Sequence, residues 1–475
     1  MNDSDASTTP VVHELSPTPD PWKVCQQLAH RDGLIFFDSA LRHAELGRYS
    51  FVMASPLRKY ELETATHGQD PFETVREDFA KLKLTHIQEL PPFQGGIAGM
   101  LGYELNNCFE KIDLQGVDEF QMPVMAVGLY DWVIAWDHEQ NRSWIIAHGL
   151  SQESLTPDQS KARQTIEAIL ANLSSTTPTE TWRCDQPPVK LKDSGHPIEY
   201  KDLPQLQSDF SRDAYLKSVE QVIEYIKAGD IFQTNLSQRL LHPLTDPVRD
   251  LYGRLRTVNP ATYGGLMLWD DWAIASASPE QFMEVRENNV ETRPIKGTRR
   301  RGLSPEAELY TGDELRESAK EMAENVMITD LLRNDLSRVC QPGTVHTSEL
   351  CRVETYATVQ HLVSVVRGLL KPEHDAWNLL SATFPGGSIT GAPKVRAMEI
   401  ITELEPTARG PYCGSLFYLG HDGSFDSNIL IRSFAIKNGW IQCRVGGGIT
   451  AKSSPAAEYE ETFHKAEGML RALKK

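Results

Sequence analysis

No run of about 18 consecutive apolar residues occurs in the 475-residue chain, so no hydrophobic helix long enough to cross a bilayer is expected. The first twenty residues, MNDSDASTTPVVHELSPTPD, have neither a basic start nor an apolar stretch. They lack the marks of a secretory leader, and a flexible tail over 1–20 is expected instead. Cysteine is scarce. The seven (Cys25, Cys108, Cys184, Cys340, Cys351, Cys413 and Cys443) are widely spaced, with no CxxC pair. That speaks against a disulfide framework or a zinc site and fits free thiols in a reducing cytoplasm. Positive charge is also in deficit, 48 Lys and Arg against 65 Asp and Glu, giving −17. A polyanion is repelled by nucleic acid and by anionic membranes, so neither is expected as a partner. A small anionic substrate remains allowed, because it needs only a locally basic pocket. There is no internal repeat, and the GxxxxGK[ST] phosphate loop is absent.

What remains is the composition of a globular protein, 40% hydrophobic and 24% charged. Residues 173–208 are rich in Ser, Thr, Pro and charge and carry no sustained apolar period, so they read as a linker. It separates an N-terminal region, 21–172, from a C-terminal domain, 209–475. The first region holds β-rich pieces such as YDWVIAWD and SWIIAHG, and glycines at 95, 96, 99 and 102 suggest closely packed backbones. After the linker, Ser211 is placed to cap a helix with Tyr215, Val219, Val222, Ile223 and Ile226 on one face. Gly229 then stops it. Strand-like runs WAIASAS, ILIRSFAI and WIQCRVGGGIT follow, with helical stretches near 313–333 and 392–404 and a last helix from about Ala456. Grouped strands with helices between them suggest an α+β domain.

Four segments concentrate acid, base and glycine. In RPIKGTRRRG, residues 293–302, Lys296 is flanked by Arg293, Arg299, Arg300 and Arg301. A lysine near other cations and partly desolvated has its neutral form favoured, which makes it a usable nucleophile or base. A solvated basic loop would look the same. In ESAKEMAENVMITDLLRND, Glu321 and Glu324 share a helix face, and in AAEYEETFHKAEGML Glu458 and Glu461 repeat the spacing. Two such helices could hold a hard cation such as Mg²⁺, although either pair alone would suit an exposed helix face. In TFPGGSITGAPKVRAMEII, small residues from Gly386 to Gly391 run into Pro393, suited to a first helical turn. Such a loop offers N–H groups and hydroxyls to an anion.

In this order, SPEQF, RPIKGTRRRG, AENVMITDLLRND, HLVSVV, FPGGSITGAPKVRAMEII, GGGIT and EYEETFHKA resemble the motifs of the chorismate-utilising enzymes. The likeness is strong over residues 205–475 and weaker before them. It implies an α+β fold of two large antiparallel β-sheets packed as a sandwich with helices outside. It also implies Mg²⁺ held by Glu324 and Glu461, with Glu321 and Glu458 as partners through water, binding the ring carboxylate of chorismate. Lys296, Glu280 and His361 become the expected catalytic residues. Ser388, Tyr412, Arg432, Gly446, Gly447, Gly448 and Lys465 become the expected substrate contacts. Ser388 departs from the threonine of anthranilate synthases but keeps the hydroxyl.

Within the family, anthranilate synthases carry PIAGT, whereas aminodeoxychorismate synthases carry PIKGT. The likeness therefore implies that Lys296 attacks C2 of chorismate while Glu280 handles protons at C4. Isochorismate and salicylate synthases also have a lysine there, in surroundings that differ from these motifs. No segment resembles a glutamine amidotransferase, so ammonia is expected from solution or from a separate glutaminase subunit. FFDSALRHAELGRYSFVMASP is similar to the family's tryptophan-binding segment, which would make Ser39 a contact, assisted by NPATY at 259–263. An anthranilate-forming enzyme and a chorismate-binding regulator without turnover are the two rivals. Lys296 argues against the first, and the full catalytic set against the second.

Overall fold

Successive residues of one strand enter different cores. In Leu34–Asp38, Leu34 and Phe36 join one apolar cluster and Ile35 another; in Trp132–Asp137, Ile134 and Trp136 join the first while Val133 and Ala135 join the second. Strands covered on both faces read as continuous apolar runs, which is why YDWVIAWD shows no polar alternation. The computed structural model describes residues 8–42, 46–113, 117–174, 188–189, 195–301, 305–356 and 359–474.

Among these, two antiparallel sheets of 13 and 10 strands stack face to face. Ile35, Met53, Met267 and Ile274 of the first meet Ala98, Met100, Leu416 and Tyr418 of the second in the central core. Helices Pro21–Leu28, Gln159–Ser174, Val248–Val258 and Pro455–Leu473 cover the outer face of the first sheet. Helices Glu73–Phe79, Ala319–Ser337 and Ala376–Thr383 cover that of the second. The fold is the expected α+β sandwich with helices outside.

The N-terminal region and the C-terminal domain share both sheets. Leu34–Asp38 pairs with Tyr263–Trp269 through Phe36 and Leu266, and Gly96–Leu101 pairs with Ser415–Gly420. Both sheets therefore run through both halves of the chain. Of the expected tail, residues 1–7 lie outside the described residues, while part of 8–20 is regular structure. Val11–Glu14 is an edge strand on Arg142–Ala147, and Asp20 caps the next helix by accepting from the Lys23 N–H. Of the expected linker, residues 175–187 and 190–194 lie outside the described residues. His196–Pro197 and Gln207–Ser208 add strands beside Gln233–Pro243. Strands of two to four residues are too short to leave a period in the sequence.

Local signals fared better. The Ser211 hydroxyl accepts the Ala214 N–H at 3.2 Å, the helix runs Arg212–Ala228, and Gly229 ends it at φ 86°. The stretch near 313–333 is two helices, Pro305–Glu317 and Ala319–Ser337, parted by Ser318, which caps the second. Of ILIRSFAI only the last four residues are strand, at the start of Ser433–Lys437, because the chain turns at Arg432 with φ 50°. Pro393 precedes the helix Lys394–Leu404 as its cap.

Candidate active site

The edge of the second sheet supplies the central amine. Ile295–Arg300 pairs with Val359–Leu369, but the register slips between Lys296 and Thr298, and Gly297 takes φ 65°. A β-bulge of this kind re-aims side chains. Lys296 Nζ donates to the Ser388 carbonyl oxygen at 2.7 Å. Burial lowers its pKa, opposed by the nearby carboxylates of Glu280 and Glu324. Glu280 is buried at the end of Trp272–Ser278, and burial raises its pKa against the Lys296 charge and hydrogen bonds from the Ser388 hydroxyl and Ile295 N–H. The two groups thus lean toward each other, the acid toward its protonated form and the amine toward its neutral form.

His361 lies across the ladder from Thr298, whose hydroxyl is 2.9 Å from Nδ1. Burial and then the Arg432 charge push this imidazole down to about 3, so it is neutral at neutral pH. Arg432 is itself desolvated, with Glu280 as the opposing charge in reach. Among the described residues its guanidinium makes no hydrogen bond or ion pair. A half-buried fork of N–H donors, unpaired among the described residues, suits a substrate carboxylate. Tyr412 is buried, its phenol pushed well above its ordinary range by burial.

The carboxylate pairs come from the helices Ala319–Ser337 and Pro455–Leu473. Glu324 and Glu458 face each other across Lys320, whose Nζ lies 3.9 Å from Glu324 Oε1 and 3.6 Å from Glu458 Oε1. Burial raises the Glu324 pKa, opposed by Lys296 and Lys320. Glu324 Oε1 is buried without a hydrogen-bond partner among the described residues. Glu461 pairs with Lys465 at 2.8 Å; burial would raise its pKa, but the ammonium prevails and holds it below the usual range. Glu321 turns instead to Arg299 at 2.8 Å. Among the described residues no three His, Cys, Asp or Glu side chains converge closely enough to hold a metal ion.

The glycine triplet lies within the strand Trp440–Ile449 rather than at a turn, paired with Gln233–Pro243. A Cβ at Gly447 would stand 3.2 Å from Lys465 Nζ, 3.3 Å from Glu458 Oε2 and 3.4 Å from Glu461 Oε1. Lys465 also donates to the Gly446 carbonyl at 2.9 Å. The structure thus brings Lys296, Glu280, Ser388, His361, Arg432 and Glu324 into one neighbourhood, with Glu458, Glu461 and Lys465 beside the triplet. Ser39 belongs elsewhere: its buried hydroxyl donates to the Tyr49 carbonyl at 2.6 Å and the Thr262 carbonyl at 3.3 Å, which does place it against NPATY.

Sequence reasoning missed Lys320 and a buried cluster of Glu405, Arg409 and Arg444. Lys320 had a local signal, four residues before Glu324. Glu405 and Arg409 had the same four-residue spacing, whereas Arg444 joins them from far along the chain.

A family model described as chorismate binding enzyme matches residues 38–471. Aminodeoxychorismate synthase component 1 of Klebsiella aerogenes is 38% identical over 86% of this chain and 84% of its own. Anthranilate synthase component 1 of Thermus thermophilus is 35% identical, covering 94% of each chain. The crystal structure of anthranilate synthase component I from Streptococcus pneumoniae superposes with a TM-score of 0.74 at 30% identity, covering 89% of this chain and 92% of that one.

Proposed function

The chain belongs to the chorismate-binding enzymes, and from that premise we propose that it is the chorismate-aminating subunit of an aminodeoxychorismate synthase. The observation that carries the reading is Lys296. Its amine is desolvated, beside a carboxyl whose pKa is raised. An anthranilate-forming site, which the Thermus relative would suggest, does not need that amine.

In the reaction proposed, the neutral Lys296 amine bonds to C2 of chorismate as the C4–O bond breaks. Hydroxide is a poor leaving group, so Glu280 supplies a proton and the oxygen departs as water. Ammonia then bonds at C4, and the electrons shift back to break the C2–N bond. The lysine leaves as its neutral amine, having kept both of its protons, and Glu280 takes back a proton from the ammonium formed at C4. Lysine and acid are restored, and one hard displacement has become two easier ones. Arg432 is suited to a substrate carboxylate, and neutral His361 to a hydrogen bond near C4.

Among the described residues no three carboxylates converge on one point, but the charge of this corner suits a magnesium ion: Glu324 Oε1 has a lone pair unused among the described residues, and the Lys320 ammonium already puts a cation between Glu324 and Glu458. Glu324 and Glu461 would hold it, with Glu321 and Glu458 assisting through water. Bound there, it would neutralise the ring carboxylate of chorismate.

Ammonia is proposed to come from a separate glutaminase subunit. The six described cysteines all have thiol pKa values raised by burial, the opposite of an activated nucleophile. Cys184 lies outside the described residues.

Product analysis with chorismate, Mg²⁺ and ammonium tests the reading. Aminodeoxychorismate without pyruvate is expected, and glutamine should not replace ammonium in the single chain. Anthranilate with equimolar pyruvate would overturn the assignment. Lys296→Ala should lose orders of magnitude in kcat for aminodeoxychorismate while still binding chorismate. Near wild-type kcat would remove the lysine from the covalent role.

A further inference from the structure

Arg409 is 1% exposed and lies outside every motif named above. Its guanidinium spends its donors on three separate segments. Nη1 reaches the Ile389 carbonyl at 3.1 Å, and Nη2 the Asn235 carbonyl at 3.3 Å. Nε and Nη2 reach the two Glu405 oxygens at 2.9 and 2.7 Å. Each acceptor lies next to a residue of the candidate site. Ile389 follows Ser388, and Asn235 is the ladder partner of Gly448. Glu405 in turn accepts from the N–H and hydroxyl of Ser237, both at 2.8 Å, and Ser237 is the ladder partner of Gly446. The guanidinium also lies over the Tyr412 ring at 5.5 Å and over Tyr103 at 4.6 Å.

The backbone that carries Arg409 is pinned from the N-terminal half. The Glu104 oxygens accept the consecutive N–H groups of Arg409 and Gly410 at 2.7 and 2.9 Å, and the Tyr103 N–H donates to the Gly410 carbonyl at 2.7 Å.

We propose that Arg409 is the positioning residue of the chorismate site, setting the Ser388 loop, Tyr412 and the Gly446–Gly448 strand in register with one another. The inference rests on these residues being the substrate contacts of the proposed function. Stability is a poor reason for such a group, since replacing a buried ion pair by apolar side chains is often neutral or stabilising. An apolar side chain could fill the space, but it could not aim donors at carbonyls on two segments and a carboxylate on a third. A planar fork does so with little freedom left over. Lysine keeps the charge opposite Glu405 but loses the fork. Misplacing a substrate contact by about 1 Å costs on the order of 100-fold in rate.

The test is Arg409→Lys, with Glu104→Gln as a milder variant that loosens the same turn by exchanging one carboxylate acceptor for an amide. Expected for Arg409→Lys are a chorismate KM raised roughly tenfold or more and a lower kcat, with the KM for ammonium unchanged. Amide exchange should quicken in 386–392, 410–414 and 444–449 and stay as in wild type elsewhere. Glu104→Gln should move in the same direction by less. Wild-type chorismate kinetics in Arg409→Lys would overturn the proposal, whether or not exchange quickens. Quickened exchange spread over the whole chain would overturn it as well, by making the role one of general stability. Failure of the functional reading is seen separately, in the product formed by the wild type.

Discussion

His361 gives a prediction whose size follows from its surroundings. The residue is 3% exposed, and burial with the Arg432 charge pushes its imidazole from 6.5 down to about 3. Between those values the unfolded chain takes up a proton that the folded chain refuses. Folding stability contributed by this group is therefore fully present above pH 6.5 and is lost as pH falls toward 3. Each pH unit in the window is worth about 1.4 kcal/mol, so about 2 kcal/mol is gone by pH 5. Other buried groups titrate in the same range. His148 and His421 are pushed down to about 4 and 3, and Glu104 and Asp426 up to about 7, with opposite effect on stability. A cycle removes them. His361→Gln and wild type are unfolded in urea at pH 8 and at pH 5, and the cost of the substitution is compared. Groups common to both proteins cancel. The substitution should cost about 2 kcal/mol less at pH 5 than at pH 8, because the variant has no imidazole to keep neutral. A cost equal at the two pH values within about 0.5 kcal/mol would refute the neutral, desolvated histidine. The same reasoning says that no acid limb near pH 6.5 in kcat belongs to His361.

Magnesium at about 100 times its Kd should stabilise the wild type by about 2.7 kcal/mol, and Glu324→Gln should lose most of that gain. An equal magnesium-induced shift in both proteins would remove Glu324 from the metal site. Gly446→Ala would drive a Cβ to 2.3 Å from the Leu236 carbonyl, so its unfolding midpoint should fall. Gly447→Ala meets only the movable ends of Lys465, Glu458 and Glu461, so it should fold normally yet bind magnesium and chorismate more weakly. Normal binding by folded Gly447→Ala would show that this face of the strand does not border the site.

What could be read from the sequence was what is local in the chain. The Ser211 cap, the Gly229 stop and the carboxylates at Glu321, Glu324, Glu458 and Glu461 all depend on residues within a few positions, and helix ends obey such rules. Sheet order does not. Phe36 and Leu266 lie opposite each other because two distant segments share a core, and neither segment records the other. Short edge strands such as Val11–Glu14 carry too few residues to show a period. The two-sheet sandwich was therefore reached through motif resemblance and not through pattern. The same divide runs through the site. Lys296 stood out because arginines surround it, but its lowered pKa comes from burial, opposed by Glu280 and Glu324, and its amine is held by the Ser388 carbonyl; these three partners arrive from other elements.

That divide also explains how the site can hold an acid and an amine at one pH. An exposed lysine and an exposed glutamate would both be charged at neutral pH, and a proton passing between them would be strongly disfavoured. Burial acts on both groups at once, lowering the amine and raising the carboxyl, while their mutual attraction opposes both shifts. The charged pair and the neutral pair are brought closer in energy, because desolvation penalises only the charged one. The neutral pair is the one the proposed chemistry requires, a free amine to attack C2 and a carboxylic acid to protonate the leaving oxygen. In the proposed chemistry the lysine and the glutamate would therefore act as a pair, and neither motif alone, PIKGT or SPEQF, would specify it.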